Sequence, residues 1–308
     1  MEKVKRKRIK NKEKITRAQT VALWVVFVIF FIYAATLVWP FIWMFLNAGK
    51  TQMEFFRDKL SFPQNYMWSN YADALFGVYV TAGSGAGTHQ VKLFEMFFNS
   101  IYLTIILTFL EVFMSACAAY VITYYRFPCR RLIYGIVIFT MVVPLVGTLP
   151  VCYDFFARAH LLNNIFGMIL LCVNGLGFAF LILYGGFQNL SWSYAEAASL
   201  DGAGPFRTFF SIMLPLMRPA LVSIAVVTAI GFWNDYTTPA VYYADRPTLA
   251  FGINTLLNDV KRSSSGDFGS NYPLMFACIL VAVLPIVVFF ACFQKTIMNN
   301  MAVGGLKG

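Results

Sequence analysis

The sequence predicts an all-α, polytopic membrane protein with six transmembrane helices. Of its 308 residues, 59% are hydrophobic and only 12% are charged, whereas about 25% of the residues in soluble domains are charged. Six apolar stretches also approach the length of roughly 20 residues that a helix needs to cross a bilayer. These stretches are residues 21–46, 94–124, 132–153, 165–187, 217–235 and 273–294.

Residues 1–19 form a basic tail that carries nine lysine and arginine residues. The net charge of +10 is concentrated in this tail rather than spread along one face, so no nucleic acid is predicted as a partner. Basic residues beside a span are typical of a topology signal that keeps the tail in the cytoplasm. An arm that binds lipid headgroups or nucleic acid is the alternative. The apolar run that follows is too long for a signal peptide.

The first span and an external loop are predicted over residues 20–93. From residue 47 the loop is polar and aromatic, and its tip, residues 83–87, is rich in glycine. No Lys-Ser or Lys-Thr pair follows that tip, so the P-loop pattern is missing and a flexible surface loop is predicted. A second polar segment, residues 236–271, is predicted to include a short helix around residues 250–260.

The distribution of positive charge predicts the orientation of the spans. Sixteen Lys and Arg residues lie in the two terminal tails and in the segments 125–131 and 188–218, against eight in the three opposite loops. Because cytoplasmic segments carry the excess of positive charge, both termini are predicted to be cytoplasmic. The last five spans form the predicted core, residues 94–294, and residues 295–308 form a cytoplasmic tail.

The segment 188–218 is a mostly polar island between two strongly apolar regions. Ser193 and Glu196 have the spacing of a capping box, which predicts a short helix with Ser193 at its N-cap. Asp201 and Gly202 then predict a turn, because glycine tolerates the left-handed backbone that ends many helices.

A second short helix is predicted to begin at Pro205, since the first helical position needs no N–H group. Phe206, Phe210 and Met213 are spaced to share one face of this helix, and Pro215 is predicted to end it. A helix–turn–helix with an apolar stripe, placed between two spans, indicates a docking loop. An ordinary amphipathic cytoplasmic loop is the alternative.

The spacing in this island resembles the EAA loop of binding-protein-dependent ABC importer permeases, in the version found in maltose-type carbohydrate importers. A pattern of fixed spacing between two predicted spans is a specific signal. The matching residues are Glu196, Ala197, Ala198, Asp201, Gly202, Ala203, Ile212, Leu214 and Pro215.

The resemblance extends from the second span to the end of the chain. Asn99-Ser100 and Ala118-Ala119-Tyr120 in the second span resemble short sequences of the family, as does Trp233-Asn234-Asp235 at the end of the fifth. The last residues resemble the family's terminal tail, which in some relatives reaches the ATPase. The tail residues concerned are Gly304, Gly305 and Lys307. The N-terminal part agrees with the family in layout but not in motif.

This resemblance implies a type I ABC importer permease fold in the cell membrane and an ATP-driven importer for a sugar or oligosaccharide. The implied partners are a second permease, usually in a heterodimer, two ATPase subunits and an external solute-binding protein. The ATPases use ATP and Mg²⁺, and this chain is expected to bind no cofactor and to be no enzyme itself. In the implied contact, Phe206 and Phe210 anchor the loop in the ATPase and Glu196 pairs with an ATPase arginine.

Glu111 is the only acidic residue near the middle of a predicted span. A carboxylate at that depth costs several kcal/mol unless it is paired or hydrated, and two interpretations are open. Either Glu111 lines the pathway and binds substrate hydroxyl groups, or it is a neutral or paired structural group. Asn174, Asn234 and Asp235 are weaker pathway candidates, and the last two are favoured as the polar end of the fifth span.

Metal and disulfide chemistry is not indicated by the sequence. The six cysteines form no CxxC pair, which favours apolar packing, and His89 and His160 have no ligand-like spacing. The alternatives to a sugar importer are a permease for another solute such as a polyol, and a six-span membrane enzyme or assembly factor. A secondary transporter is a further alternative, but the internal repeat that it predicts is not visible.

Overall fold

The computed structural model describes residues 17–83, 88–143, 147–262 and 271–303, so that most of the basic tail and of the glycine-rich tip lies outside the described residues. The described residues form fifteen α-helices, a π-helical turn and a two-stranded hairpin. In chain order the helices are α1 (Arg17–Ala48), α2 (Gln52–Arg57), α3 (Ser69–Phe76), α4 (Leu93–Tyr124), α5 (Arg130–Val142), α6 (Thr148–Arg158), α7 (Ile165–Cys172), α8 (Phe178–Gln188), α9 (Ser193–Leu200), α10 (Pro205–Thr208), α11 (Leu214–Leu216), α12 (Arg218–Asn234), α13 (Thr237–Tyr242), α14 (Leu249–Arg262) and α15 (Tyr272–Val303).

Three helices in the described part of the chain are long and apolar enough to cross a bilayer. Their apolar stretches are Gln19–Ala48, Leu93–Tyr124 and Tyr272–Gln294, in α1, α4 and α15. A fourth candidate is the pair Pro205–Leu216 and Arg218–Asn234, if these two helices, which meet at 76°, count as one span. The prediction of several membrane-spanning helices is confirmed, whereas the predicted number of six is not confirmed by helix length.

The predicted third and fourth spans are not continuous helices, which corrects the expectation for residues 132–153 and 165–187. The predicted third span is divided between α5 and α6, and the predicted fourth span is divided between α7 and α8. Gly147 has a φ of 82° just before α6, and Gly175 has a φ of 64° in the second break. Glycine adopts this left-handed conformation without the steric cost of a side chain, and a right-handed helix cannot continue through it.

The predicted external loop is an ordered substructure over its described residues. After α2 and α3, strand β1 (Tyr79–Ala82) pairs antiparallel with β2 (His89–Lys92), so the fold is mostly helical rather than all-α. Val80 lies opposite Val91 in this ladder, and both side chains are buried. Alternation over only four positions is too short to predict a strand from sequence. The predicted helix in the second polar segment is present as α14.

The loops form two groups at opposite ends of the helices. At one end, the hairpin and α3 share an apolar core with α14 and the beginning of α15, and the N–H of Asn163 donates to the carbonyl of Tyr242 at 2.8 Å. At the other end, the hydroxyl of Tyr124 donates to the carbonyl of Phe187 at 2.9 Å, and its ring centre lies 4.9 Å from that of Trp192. These groups are the loops that the charge distribution assigns to opposite sides of the membrane.

Candidate functional site

The island between the apolar regions folds into two short helices joined by a turn, and the first of them is α9. The residue before α9, Trp192, makes no side-chain capping hydrogen bond. The predicted capping box is therefore wrong, since Ser193 is already helical instead of occupying the N-cap. The N–H and hydroxyl of Ser193 are hydrogen-bonded to the hydroxyl of Ser191, at 3.3 and 2.7 Å. Glu196 is exposed on the first turn of α9 and has no capping role.

The predicted turn after α9 is confirmed, and Gly202 provides it. Gly202 has a φ of 77°, and its N–H donates to the carbonyl of Ser199 at 3.1 Å. The N–H of Ala203 donates to the carbonyl of Ala198 at 2.9 Å. These bonds satisfy the last carbonyl groups of α9 and reverse the chain, as a left-handed residue after a helix does.

The second short helix begins at Pro205 as predicted, but it does not end at Pro215. From α10 the chain continues through a π-helical turn, Phe209–Met213, into α11, which includes Pro215. The direction changes two residues later, at Met217, where α12 departs at 76°. Proline is tolerated in the first turn of a helix, because its missing N–H is not needed there. Pro215 therefore does not end the helical segment, which continues to Leu216.

The π-helical turn divides the predicted apolar face. Phe209 and Met213 are buried, whereas Phe206 is 81% exposed and Phe210 is 49% exposed. Because a π-helical turn holds one more residue than an α-helical turn, the side chains after it rotate away from the α-helical face. Phe206, Phe210 and Met213 therefore do not share one face. The ring of Phe210 instead stacks on Phe113 of α4, with ring centres 6.2 Å apart.

Two large apolar side chains point outward on either side of the turn. Leu200 is 89% exposed and Phe206 is 81% exposed, and Glu196 is exposed one helical turn before Leu200. These three residues are referred to as the loop knob. On its inner side, α9 buries Ala195 and Ala198, through which it packs toward the π-helical turn. Leu200 was missed by the sequence prediction, although a leucine directly before an Asp-Gly turn in a polar island was a visible signal.

The other residues of the EAA-like pattern divide between the outer and inner sides of the same helix–turn–helix. The exposed ones are Ala197, Asp201 and Gly202, the half-buried ones are Ala203, Ile212, Leu214 and Pro215, and the buried one is Ala198. The structure thus brings all of them into one compact element, in which the isoleucine, leucine and proline contribute packing rather than exposed surface.

Glu111 lies in the middle of α4 and is buried, with 7% of the residue exposed. Its Oε2 accepts hydrogen bonds from the backbone N–H of Asn174 at 3.0 Å and of Gly175 at 3.2 Å. Its Oε1 accepts from the hydroxyl of Ser115 at 3.3 Å. Both carboxylate oxygens are therefore engaged within the protein, which favours the structural interpretation of Glu111 over the pathway interpretation.

Asn174 completes the hydrogen bonding of the break between α7 and α8. Its Oδ1 accepts from the N–H of Leu176 at 2.9 Å, so three consecutive N–H groups, of residues 174–176, bond to side-chain oxygens. An unbonded N–H group in an apolar environment costs about 1–3 kcal/mol. Non-helical backbone is tolerated at membrane depth only where such groups are satisfied. Glu111 and Asn174 together permit the chain to leave the helical conformation here.

The two pathway candidates at the end of α12 make local hydrogen bonds. Asn234 donates through Nδ2 to the carbonyl of Ile230 at 2.9 Å. Asp235 accepts through Oδ1 from the N–H groups of Thr237 and Thr238, both at 3.0 Å. Asp235 thereby orders the beginning of α13 as a capping residue does. These bonds agree with the predicted polar end of the fifth span.

The remaining sequence-based candidates are outside the described residues or carry no site. Gly304, Gly305 and Lys307 lie beyond residue 303, where the description ends. Among the described residues, no group of three or more His, Cys, Asp or Glu side chains is arranged to hold a metal ion. All six cysteines lie in the described ranges as free thiols, and Cys129 and Cys292 among them are exposed rather than packed.

Comparison with known proteins finds transport permeases. Residues 111–302 match the family model described as binding-protein-dependent transport system inner membrane component. The diacetylchitobiose uptake system permease protein NgcG of Streptomyces coelicolor is 28% identical, over 90% of this chain and 86% of its own length. The arabinooligosaccharides transport system permease protein AraQ of Bacillus subtilis is 30% identical, over 70% of this chain and 74% of its own length. The sn-glycerol-3-phosphate transport system permease protein UgpE of Pectobacterium atrosepticum is 26% identical, over 83% of this chain and 88% of its own length.

A solved structure shares the fold. A chain in the crystal structure of a bacterial ABC transporter involved in the import of the acidic polysaccharide alginate matches with a TM-score of 0.77, over 91% of this chain and 98% of that chain, at 22% identity. The family match begins at Glu111 and extends through the island into α15, which is more than half of the sequence. The predicted permease family is thereby confirmed, and the chain belongs to the family of binding-protein-dependent transport system inner membrane components.

Proposed function

We propose that the chain is the permease subunit of an ATP-binding-cassette importer and forms half of a translocation pathway for a sugar or oligosaccharide. The observation that carries this proposal is the loop knob, in which Leu200 and Phe206 expose large apolar side chains beside the carboxylate of Glu196. Exposed apolar groups held on an ordered element are typical of a protein docking surface. The occupant that we propose is a separate ATPase, since this sequence has no nucleotide-binding motif of its own.

The proposed assembly contains a second permease, two ATPase subunits and an external solute-binding protein. ATP and Mg²⁺ act on the ATPase subunits, and this chain supplies no cofactor site. In the docked loop, Phe206 and the half-exposed Phe210 are the apolar anchor, and Glu196 faces an arginine, which allows a charge-assisted hydrogen bond. The tail residues Gly304, Gly305 and Lys307 are a second proposed contact with the ATPase.

The substrate class follows from the relatives and from the sequence of the turn. The names of two relatives specify diacetylchitobiose and arabinooligosaccharides, and Asp201-Gly202-Ala203 resembles the turn of maltose-type importers. A sugar or oligosaccharide is therefore the first candidate. The relative whose name specifies sn-glycerol-3-phosphate supports a smaller polyol-like solute as the second candidate.

Purification of the tagged chain from membranes that contain the whole transporter tests this function. We expect an ATPase with a Walker A motif and a second permease to co-purify with it. Proteoliposomes of the complex should take up radiolabelled oligosaccharide only when ATP and the binding protein are both present. Uptake driven by an ion gradient, or purification without any ATPase, would contradict the proposal. Uptake of glycerol phosphate without uptake of sugars would support the second candidate.

We further propose six crossings, with α5–α6 and α7–α8 as interrupted spans, and a cytoplasmic location for the loop knob and both termini. Met53 in α2 is 84% exposed and Leu200 is 89% exposed, and they belong to the two opposite groups of loops. In cells that produce this chain without the ATPase, a membrane-impermeant maleimide should therefore label Met53→Cys before permeabilisation and Leu200→Cys only after it. The unsubstituted protein gives the background from its exposed Cys129 and Cys292. Labelling in the reverse order would contradict this orientation.

A further inference from the structure

The contact between Glu111 and the break after α7 lies at a boundary between two packed parts of the molecule. Toward the loop knob, α4 and α8 pack through a core that includes Ala116 and Phe180. Toward the opposite end, α4 and α7 pack through a separate core that includes Leu107 and Met168. Glu111 lies between these two cores along α4, at the point where the broken span changes from one to the other.

At Gly175 the backbone of the break lies directly against α4, with little room for a side chain in between. The N–H groups of Asn174 and Gly175 converge on one oxygen of Glu111, in the arrangement of an anion-binding nest. Gly175 has a φ of 64°, and a Cβ at this position would lie 3.1 Å from the Cβ of Met114. Negative charge is also favoured here, because α8 begins directly after the break.

We propose that Glu111 is a positioning residue, which fixes the break to α4 so that motion of the loop knob reaches the outer half of the molecule. Residues 189–192 alone separate α8 from α9, so displacement of the loop moves α8. The bonds from Glu111 then pass this displacement to α4 and α7, instead of allowing the break to bend. The inference rests on the proposed importer function and assigns Glu111 no contact with the substrate.

Two substitutions at Glu111 distinguish this role from a pathway contact. The amide oxygen of Glu111→Gln can accept from both N–H groups while its NH₂ donates to Ser115, so only the charge is lost. Glu111→Met has a similar length but only a weakly accepting thioether sulfur, which leaves the N–H groups of Asn174 and Gly175 without a strong acceptor. We expect Glu111→Gln to transport with an unchanged KM for the sugar. The Glu111→Met complex should hydrolyse at least about 5-fold more ATP per transported sugar than wild type. This factor is the lower end of the usual range of coupling between two sites.

Gly175→Ala tests the contact between Glu111 and the break, referred to as the joint, without altering the carboxylate. Strain at positive φ and the contact with Met114 displace the nest, so we expect the same rise in ATP consumed per sugar, with no further rise on combination with Glu111→Met. Gly185→Ala is the matched control in α8, because a Cβ there meets nothing within 4 Å. It should couple normally.

Hydrogen–deuterium exchange measures the joint independently of transport. In the purified complex, amides of residues 173–177 should exchange about tenfold faster in Glu111→Met and Gly175→Ala than in wild type, Glu111→Gln or Gly185→Ala, as loss of buried hydrogen bonds predicts. If Glu111→Met does not assemble, Gly175→Ala alone decides.

Three results would overturn the proposal. One is a normal ATP-to-sugar ratio in a variant whose break exchanges faster. Another is unchanged exchange in both Glu111→Met and Gly175→Ala. The third is a raised KM with a normal ratio in Glu111→Gln, which is the result expected of a substrate ligand. If the wild-type complex itself transports no solute with ATP, the proposed function fails, and the exchange experiment still tests the joint.

Discussion

Gly202→Val should release the ATPase from the permease while leaving the permease in the membrane. Gly202 has a φ of 77°, where a β-branched residue is a steric outlier that costs about 1–2 kcal/mol or more. Relief of this strain requires another turn, which separates Glu196 from Phe206 and dismantles the loop knob. Because 1.4 kcal/mol is a factor of ten in an equilibrium constant, we expect about tenfold less ATPase per purified permease. Quantitative immunoblots of both subunits, with sugar uptake, measure this loss.

Gly204→Val is the matched control for this prediction. Gly204 has a φ of −69° and a ψ of 166°, an extended conformation that suits a β-branched residue. A Cβ at either glycine meets nothing within 4 Å, so the two positions differ in backbone conformation rather than in space. Equal recovery of the ATPase from both variants would show that the left-handed turn is not needed for docking. Gly202→Pro should be at least as severe as the valine variant, because it also removes the N–H that donates to Ser199.

The helix–turn–helix of the island was predictable because its turn and helix start depend on single residues. Gly202 supplies the positive φ and Pro205 the first helical position, and both preferences belong to the backbone of the residue itself. The prediction that Phe206, Phe210 and Met213 share one face was wrong because it depends on tertiary packing rather than on a single residue. The π-helical turn is stabilised by the burial of Phe209 and Met213 in the core, which the spacing of the sequence does not encode.

The long apolar helices were predictable from length and composition, whereas the interrupted spans were not. Gly175 and Gly185 belong to the same apolar stretch, but only Gly175 has a positive φ. An Asn-Gly pair, here Asn174-Gly175, favours a turn, but the length of the apolar stretch favoured a continuous span. The isolated carboxylate of Glu111 was recognised as unusual. Its role depends on a contact with backbone 63 residues later in the chain, and a tertiary contact of this kind has no local sequence signal.

Leu200→Asp and Phe206→Asp should each weaken ATPase binding, and the double variant should abolish co-purification of the ATPase. The two side chains are 89% and 81% exposed in the isolated permease, so their replacement leaves its core intact. In the docked complex each aspartate would be buried without a partner, and an unpaired buried charge is strongly unfavourable. Truncation of anchor side chains typically costs about 2 kcal/mol or more. The measurement is the amount of ATPase recovered per tagged permease.

Phe62→Asp is the matched control, because Phe62 is 77% exposed and lies in the group of loops proposed to be external. The same change of residue, at nearly the same exposure, should leave recovery of the ATPase at the wild-type level, since Phe62 is far from the proposed docking surface. Loss of the ATPase from Phe62→Asp would indicate a general effect of surface charge on the complex. Normal recovery from the Leu200→Asp/Phe206→Asp double variant, at a normal level of permease, would exclude the loop knob as the docking element and remove the main structural support for coupling through this loop.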